Sequence, residues 1–194
     1  MQNSDWPTLL QRTRDSLDRL DASEKNWIRE RLKAIESLQT ALDGLFCAAD
    51  GSALCAACAG ACCGCGRHHL TLGNLLAFLL ESQEPPVPDP EQTCPYLGPS
   101  GCRLPVRSRP YNCITFFCEH LEERLSNADR LRLRELDRML RREYQRLADR
   151  YPAASLRVSG LLPAKGVTAP CLAMTRQFRS PLDNRASIPK RIEL

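Results

Sequence analysis

Apolar residues recur at helical spacing between residues 8 and 46. An apolar side chain at every third or fourth position forms one stripe along a helix, which can then pack against a core. A polar stretch, Asp21 to Glu24, interrupts the stripe, and Ser23 could cap a new helix because its hydroxyl can accept from a backbone N–H. We predict two amphipathic helices, or one long kinked helix, along Leu10, Leu17, Leu20, Ile28, Leu32, Ile35, Leu38, Leu42 and Leu45.

Two later segments show the same spacing. Residues 71–82 are apolar on nearly every side, which predicts a short buried helix capped by Thr71. After Cys113 the helical pattern returns, and it restarts near residues 127–129 with alternating Arg and Glu on the solvated face. The apolar positions of this C-terminal region are Phe117, Leu121, Leu125, Leu133, Leu136, Leu140, Leu147 and Tyr151.

The remaining segments lack this periodicity. Small residues separate the cysteines of 47–67, and eight of the fourteen prolines lie in 84–110, where they disfavour helix. We therefore predict a mostly α fold, in which N- and C-terminal helices pack with an irregular cysteine-rich metal-binding lobe. The predicted divisions are an N-terminal helical segment 1–46, the cysteine-cluster lobe 47–118, C-terminal helices 119–151 and a basic irregular tail 152–194.

Composition and charge are those of an ordinary globular protein. The chain has 194 residues, and its 43% of hydrophobic residues can bury a core. The net charge of +4 arises in the tail, which has seven Lys or Arg against two Asp or Glu. Between Arg130 and Arg150 acidic residues offset most of the arginines, which argues against a nucleic-acid partner.

The sequence offers no targeting or membrane-spanning pattern. Its first residues do not combine a basic stretch with an apolar run, as a secretory signal does. No uncharged apolar run approaches the length of about 18 residues that a membrane span needs. We expect a cytoplasmic protein, and in that reducing compartment dense cysteines are typical of metal sites rather than disulfides.

Cysteine is the exceptional residue, because nine of the eleven lie between Cys55 and Cys118. The first cluster opens with Cys55 and Cys58, whose gap of two residues suits one tetrahedral zinc or one iron centre. Neighbouring cysteines point in different directions, so Cys62 or Cys63 could serve a second centre, the core or redox chemistry. Packing as small core residues is the alternative for all of them, but the ordered spacing argues against it. The cluster comprises Cys55, Cys58, Cys62, Cys63 and Cys65.

A second cluster comprises Cys94, Cys102, Cys113 and Cys118. Neither cluster looks complete alone, and only one predicted short helix separates them. We predict that they form one composite site, with the sulfur atoms of Cys58 and Cys102 within about 10 Å of each other. Cys47 and Cys171 lie outside this pattern, and we expect neither to be a ligand.

The order of these motifs resembles a known family. The chain has C-x2-C-x3-C-C from Cys55, then Leu70-Thr71, C-P-x-L from Cys94, Gly101-Cys102 and R-P-x-x-C from Arg109. This succession is similar to the YkgJ-like CxxCxxCC cysteine-cluster family of zinc- or iron-chelating domains, and to a cluster in flagellin lysine methylases. The resemblance implies metal binding by Cys55, Cys58, Cys62, Cys63, Cys94, Cys102 and Cys113. Cys65 and Cys118 are further candidate ligands outside the shared motifs.

Three functions remain open from the sequence. We favour an iron–sulfur centre with a redox or assembly role, since sulfur-only ligation and small neighbouring residues suit it. The alternatives are a structural zinc module that binds a protein partner, and a metal-dependent protein-modifying enzyme. Arg109 could donate hydrogen bonds to a thiolate-rich centre, or form a salt bridge. His68 and His69 could supply an imidazole, although surface positions are commoner for adjacent histidines.

Overall fold

The computed structural model describes residues 5–58, 61, 70–89, 92, 94–98, 101–156, 158 and 172. Helix accounts for 72% of these residues, which confirms the predicted mostly α fold. The α-helices of this part of the chain are α1 (Asp5–Asp18), α2 (Ala22–Ala48), α3 (Gly51–Ala57), α4 (Leu72–Leu79), α5 (Tyr111–Thr115), α6 (Glu119–Arg124) and α7 (Asn127–Arg150). Two short strands, β1 (Leu97–Gly98) and β2 (Gly101–Cys102), and the 3-10 turns Val106–Ser108 and Pro152–Ser155 complete the elements.

Two separate helices, α1 and α2, occupy the predicted N-terminal segment. The cap between them is Asp21 rather than Ser23, because Asp21 has extended backbone and its carboxylate accepts from the Glu24 N–H at 2.8 Å. Ser23 lies inside α2 and donates its hydroxyl proton to Asp21 at 2.7 Å. The backbone hydrogen bond from Glu24 lowers the pKa of Asp21, so the cap is ionised and favourable at a helix N-terminus.

Helices α2 and α7 form the central antiparallel pair. Glu24 at the start of α2 pairs with Arg150 at the end of α7. Two turns further along α2, Arg31 pairs at 3.0 Å with Glu143, which lies two turns before Arg150. Each of the two helices contributes buried apolar residues seven positions apart, which is the spacing of a coiled-coil seam. They are Ile28, Ile35 and Leu42 on α2, and Leu133, Leu140 and Leu147 on α7.

Helix α4 is buried, as its composition predicts. Thr71 is its N-cap, and the side chain of Asn74 accepts from the Thr71 N–H at 3.1 Å. Leu72, Leu75 and Leu76 are fully buried. The chain after α7 returns to this helix, since the Leu72 N–H donates to the Leu156 carbonyl at 3.0 Å.

The cysteine-rich region contains more helix than its spacing predicts. Helix α2 continues to Ala48, Asp50 adopts a left-handed conformation with φ of 53°, and α3 follows at once. The alanines that look like loop spacers in the sequence are also strong helix formers, which explains the difference. The described residues of the later segment 84–110 are irregular apart from the 3-10 turn and an antiparallel strand pair, in which Leu97 pairs with Cys102 and Gly98 with Gly101.

Buried residues fall into two core clusters. One joins α1, the first half of α2, α4 and the end of α7; the other joins the second half of α2 with α5, α6 and the start of α7. No helix within the described ranges is both long enough and apolar enough to cross a membrane.

Candidate metal centre

None of the seven cysteines that the structure describes is buried. Cys47, Cys58, Cys102 and Cys113 are exposed, while Cys55, Cys94 and Cys118 are partly exposed. Cys94 and Cys118 only touch the edges of the core clusters. Packing as fully buried core residues therefore does not explain these seven side chains, and each residue is at least partly open to solvent.

The β hairpin brings together Cys94 and Cys102. Cys102 lies opposite Leu97 on the neighbouring strand, and the Leu97 N–H donates to the Cys94 carbonyl at 2.9 Å. Burial raises the pKa of the Cys94 thiol, and the nearby Cys102 raises it further. The two cysteines are therefore close to each other. The Cys94 thiol stays protonated at neutral pH, and a metal cation that binds it must displace the proton.

The first cluster lies on helix α3 and its C-terminal cap. Cys55 is on the helix and Cys58 is the cap residue, whose thiol lies 3.5 Å from the Cys55 carbonyl. Ala56 and Ala57, which separate the two cysteines, therefore form the last turn of α3. Helix α3 packs against α2 and α6, and Asp50, which precedes α3, pairs with Arg124 of α6 at 3.2 Å. Cys118 is the N-cap residue of that same helix α6.

Cys113 lies on α5, which the R-P-x-x-C motif begins. Pro110 precedes the helix, and its carbonyl accepts from the Cys113 N–H at 2.9 Å. Cys113 is near Tyr144 of α7: burial raises the pKa of Tyr144, and the charge of Cys113 adds to the shift. Cys113 is thus exposed and lies close to α7 of the central helix pair.

Three predicted ligands, Cys62, Cys63 and Cys65, lie outside the described residues, as do Cys171 and the pair His68 and His69. Within the described residues, no group of three or more His, Cys, Asp or Glu side chains is already placed to hold a metal ion. The donor chemistry nonetheless fits zinc or an iron–sulfur cluster, because both prefer thiolates and the thiols are accessible.

Arg109 has well-defined protein partners. Its Nη1 lies 3.3 Å from a carboxylate oxygen of Asp43 on α2, and its Nε donates to the Leu104 carbonyl at 3.3 Å. Its own carbonyl accepts from Gln39 Nε2 at 2.6 Å and from Asn74 Nδ2 at 3.3 Å. The salt-bridge alternative for Arg109 is observed, and a direct contact with a metal centre stays a prediction.

The two polar residues that donate hydrogen bonds to the Arg109 carbonyl were not identified from the sequence. Gln39 and Asn74 are both buried, and their amide nitrogens also approach the Tyr144 hydroxyl, at 3.4 Å and 3.1 Å. Gln39 could have been suspected, because it falls on the same face of α2 as Ile35 and Leu42. Asn74 gives no such signal beyond its position among leucines.

Cys47 lies closer to the contacts of Arg109 than the sequence suggests. Its thiol lies 3.8 Å from the second carboxylate oxygen of Asp43, the residue that pairs with Arg109. The sequence pattern sets Cys47 aside because it precedes the cluster by eight residues. Its spacing of four from Asp43 on one helix would have placed the two together.

No family model, curated protein or solved structure matches this chain. The similarity to the cysteine-cluster family therefore continues to rest on the five sequence motifs.

Proposed function

We propose that this protein binds a metal centre through cysteine thiolates, and that the centre is an iron–sulfur cluster with a redox or assembly role. The observation that carries the proposal is the accessibility of all seven described cysteines in a protein with two well-formed cores. Cysteine is among the most buried residue types in proteins, so seven cysteines of which four are exposed and three partly exposed need another reason.

The proposed ligands are Cys55, Cys58, Cys62, Cys63, Cys94, Cys102 and Cys113, with Cys65 and Cys118 as additions. Such a cluster would supply an electron, or iron and sulfide for transfer to another protein. The chain would bind the metal, orient the sulfur atoms and release protons: the Cys94 thiol, protonated in the metal-free protein, must lose its proton to become a ligand. Metal affinity should therefore fall as the pH falls.

A structural zinc module that binds a protein partner is the second candidate. Phe116 favours it, because this large apolar residue, which lies between Cys113 and Cys118 in the sequence, is 58% exposed. Aromatic residues are enriched at the centres of protein–protein interfaces, so an exposed phenylalanine could anchor a partner protein. A cytoplasmic location belongs to the proposal in either case.

Anaerobic purification followed by metal and sulfide analysis tests the proposal. An iron–sulfur protein is brown and contains iron with acid-labile sulfide, whereas a zinc–thiolate protein is colourless and contains zinc alone. Iron and sulfide in comparable amounts would support the cluster, and zinc without sulfide would support the second candidate. A protein that contains neither metal, and takes up neither in reconstitution, would contradict both.

A further inference from the structure

We propose that Arg109 is a positioning residue, which fixes the segments of Cys102 and Cys113 to the helical scaffold without touching the metal centre. This proposal rests on the proposed function, since it concerns how the segments of two proposed metal ligands are held. It assigns to the arginine of the R-P-x-x-C motif a role different from hydrogen bonding to the centre itself.

The side chain of Arg109 connects helix α2 to the segment that follows Cys102. One nitrogen pairs with Asp43 on α2, and another donates to the carbonyl of Leu104, two residues after Cys102. Leu104 is 3% exposed and belongs to a core cluster, so this carbonyl is held firmly. The planar guanidinium can serve both acceptors at once, which a lysine ammonium at the end of a flexible stem does far less well.

The main-chain carbonyl of Arg109 connects the segment before Cys113 to α2 and α4. It accepts hydrogen bonds from the buried amides of Gln39 and Asn74. Both amides also approach the Tyr144 hydroxyl, so α7 belongs to the same network. Pro110 follows immediately and begins α5, which fixes the direction in which the helix carries Cys113.

These contacts leave the guanidinium with protein partners on two sides. A residue that holds the ligand segments in place lowers the entropy cost of ordering them when metal binds, and so slows the release of metal. A residue that donated hydrogen bonds to the sulfur atoms would instead change the electronic properties of the centre. The two roles therefore differ in what a substitution changes: the rate of metal release, or the absorption spectrum and reduction potential.

The test compares Arg109→Lys and Asp43→Asn with the control Arg107→Lys. Arg107 is two residues away and also pairs with a carboxylate, that of Glu81 at 2.9 Å, but Glu81 belongs to the exposed turn after α4. Metal release from the anaerobically purified protein to EDTA is followed together with its ultraviolet and visible absorption bands. Asp43→Asn removes only one contact of Arg109, so it serves even if Arg109→Lys folds poorly.

We expect both Arg109→Lys and Asp43→Asn to release metal about tenfold faster than the wild type, which corresponds to the low end of the loss of metal affinity when a residue that orients the ligands is replaced. The absorption bands should keep their positions, Asp43→Glu should restore slow release, and Arg107→Lys should behave like the wild type. Shifted bands with an unchanged release rate would show a direct contact and overturn the proposal. Equal release from the Arg107 and Arg109 variants would also overturn it.

The inference can fail separately from the metal proposal. If the wild-type chain binds no metal, hydrogen exchange of the metal-free protein decides the positioning role. Arg109→Lys should then speed amide exchange in residues 102–115 and leave the apolar seam of α2 and α7 unchanged, whereas Arg107→Lys should leave exchange unchanged in both regions. Unchanged exchange in 102–115 would contradict the positioning role whatever the protein binds.

Discussion

At the scale of single residues, buried polar side chains fix how α2 and α7 meet. Glu24 is only 8% exposed, and its carboxylate accepts hydrogen bonds from Arg150 and from the Tyr151 hydroxyl. The Arg150 guanidinium also lies 4.6 Å from the centre of the Trp27 ring. Since a buried charge is tolerated only with its partners in place, this network specifies one alignment of the two helices.

Substitution of Glu24 by Ala should destabilise the protein by about 3 kcal/mol, because it leaves a largely buried Arg150 without its counter-ion. The matched control is Arg132→Ala, which breaks the exposed pair with Glu135 on α7 and should cost less than about 1 kcal/mol. Urea denaturation measures both. Equal losses for the two variants would mean that burial does not govern these ion pairs.

The same network predicts how stability depends on alkaline pH. Burial raises the pKa of Tyr151, and its hydrogen bond to Glu24 raises it further. An unfolded tyrosine ionises near its ordinary pKa of about 10, whereas the folded one keeps its proton. The folded state then binds more protons, so this stabilisation is complete below about pH 10 and is lost as the pH rises through the folded pKa.

We expect the free energy of unfolding to fall more steeply above about pH 10 in the wild type than in Tyr151→Phe. The difference between the two slopes isolates Tyr151 from the ionising thiols and lysines, which both proteins share. Chemical denaturation at a series of alkaline pH values measures it. Parallel slopes would show that Tyr151 ionises alike in the folded and unfolded chains.

At the scale of elements, periodicity predicted the helices whose packing is mainly apolar. Helices α2, α4 and α7 follow directly from their leucine and isoleucine spacing, because burial of one face determines both their existence and their orientation. Helix α3 was not predicted, since a few alanines between cysteines show no apolar face. The separation of α5 from α6 was also missed, because the apolar pattern continues through Phe117.

The sequence predicts which residues could bind metal at the candidate site, but only partly which residues hold them in place. Cysteine spacing singled out Cys94 and Cys102, which the hairpin brings together. The contacts of Arg109 with Asp43, Gln39 and Asn74 join residues 35 to 70 positions apart. Local spacing carries no information about such partners, since tertiary packing alone determines them.

Helix α3 depends on a glycine at its first position. A methyl group at Gly51 would overlap the ring of Phe46, which packs edge-on against Phe117 at 6.3 Å. Gly51→Ala should therefore destabilise the protein by about 1–3 kcal/mol and displace the helix that carries Cys55. Gly44→Ala is the control, because Gly44 of α2 has open space around it and should gain about 0.5–1 kcal/mol.

Thermal or urea unfolding separates these two glycine variants. Opposite signs of the change in stability are the expected outcome. If Gly51→Ala were also stabilising, Phe46 would move aside freely, and its contact with Phe117 would not be what holds α3 in place.

At the scale of the whole molecule, the helices and the cysteine segments differ in how they are stabilised. The helices bury two apolar clusters between them. The cysteine-bearing segments contribute only a few residues to these clusters, such as Tyr96, Leu104, Ile114 and Phe117, and otherwise attach through hydrogen bonds and ion pairs. Ala, Gly and Pro there offer little apolar area to offset the entropy of ordering the chain.

Removal of metal should therefore loosen the cysteine segments before the helical scaffold. After chelation we expect amide exchange to accelerate in 47–58 and 94–118 while Leu136 and Leu140, at the centre of α7, remain protected. Hydrogen exchange with mass spectrometry measures both regions in one sample. Exchange that stays unchanged in the cysteine segments after complete metal removal would show that they fold without metal.

The most direct test of the account is the metal content per chain of two paired variants, Cys55→Ser/Cys58→Ser and Cys94→Ser/Cys102→Ser, with Cys171→Ser as the control. If both clusters build one centre, each paired variant should lose nearly all of the metal bound by the wild type, while Cys171→Ser should retain it. Two independent sites would instead leave each paired variant with the share bound by the other cluster. That result, or equal metal loss in Cys171→Ser, would contradict a single composite centre.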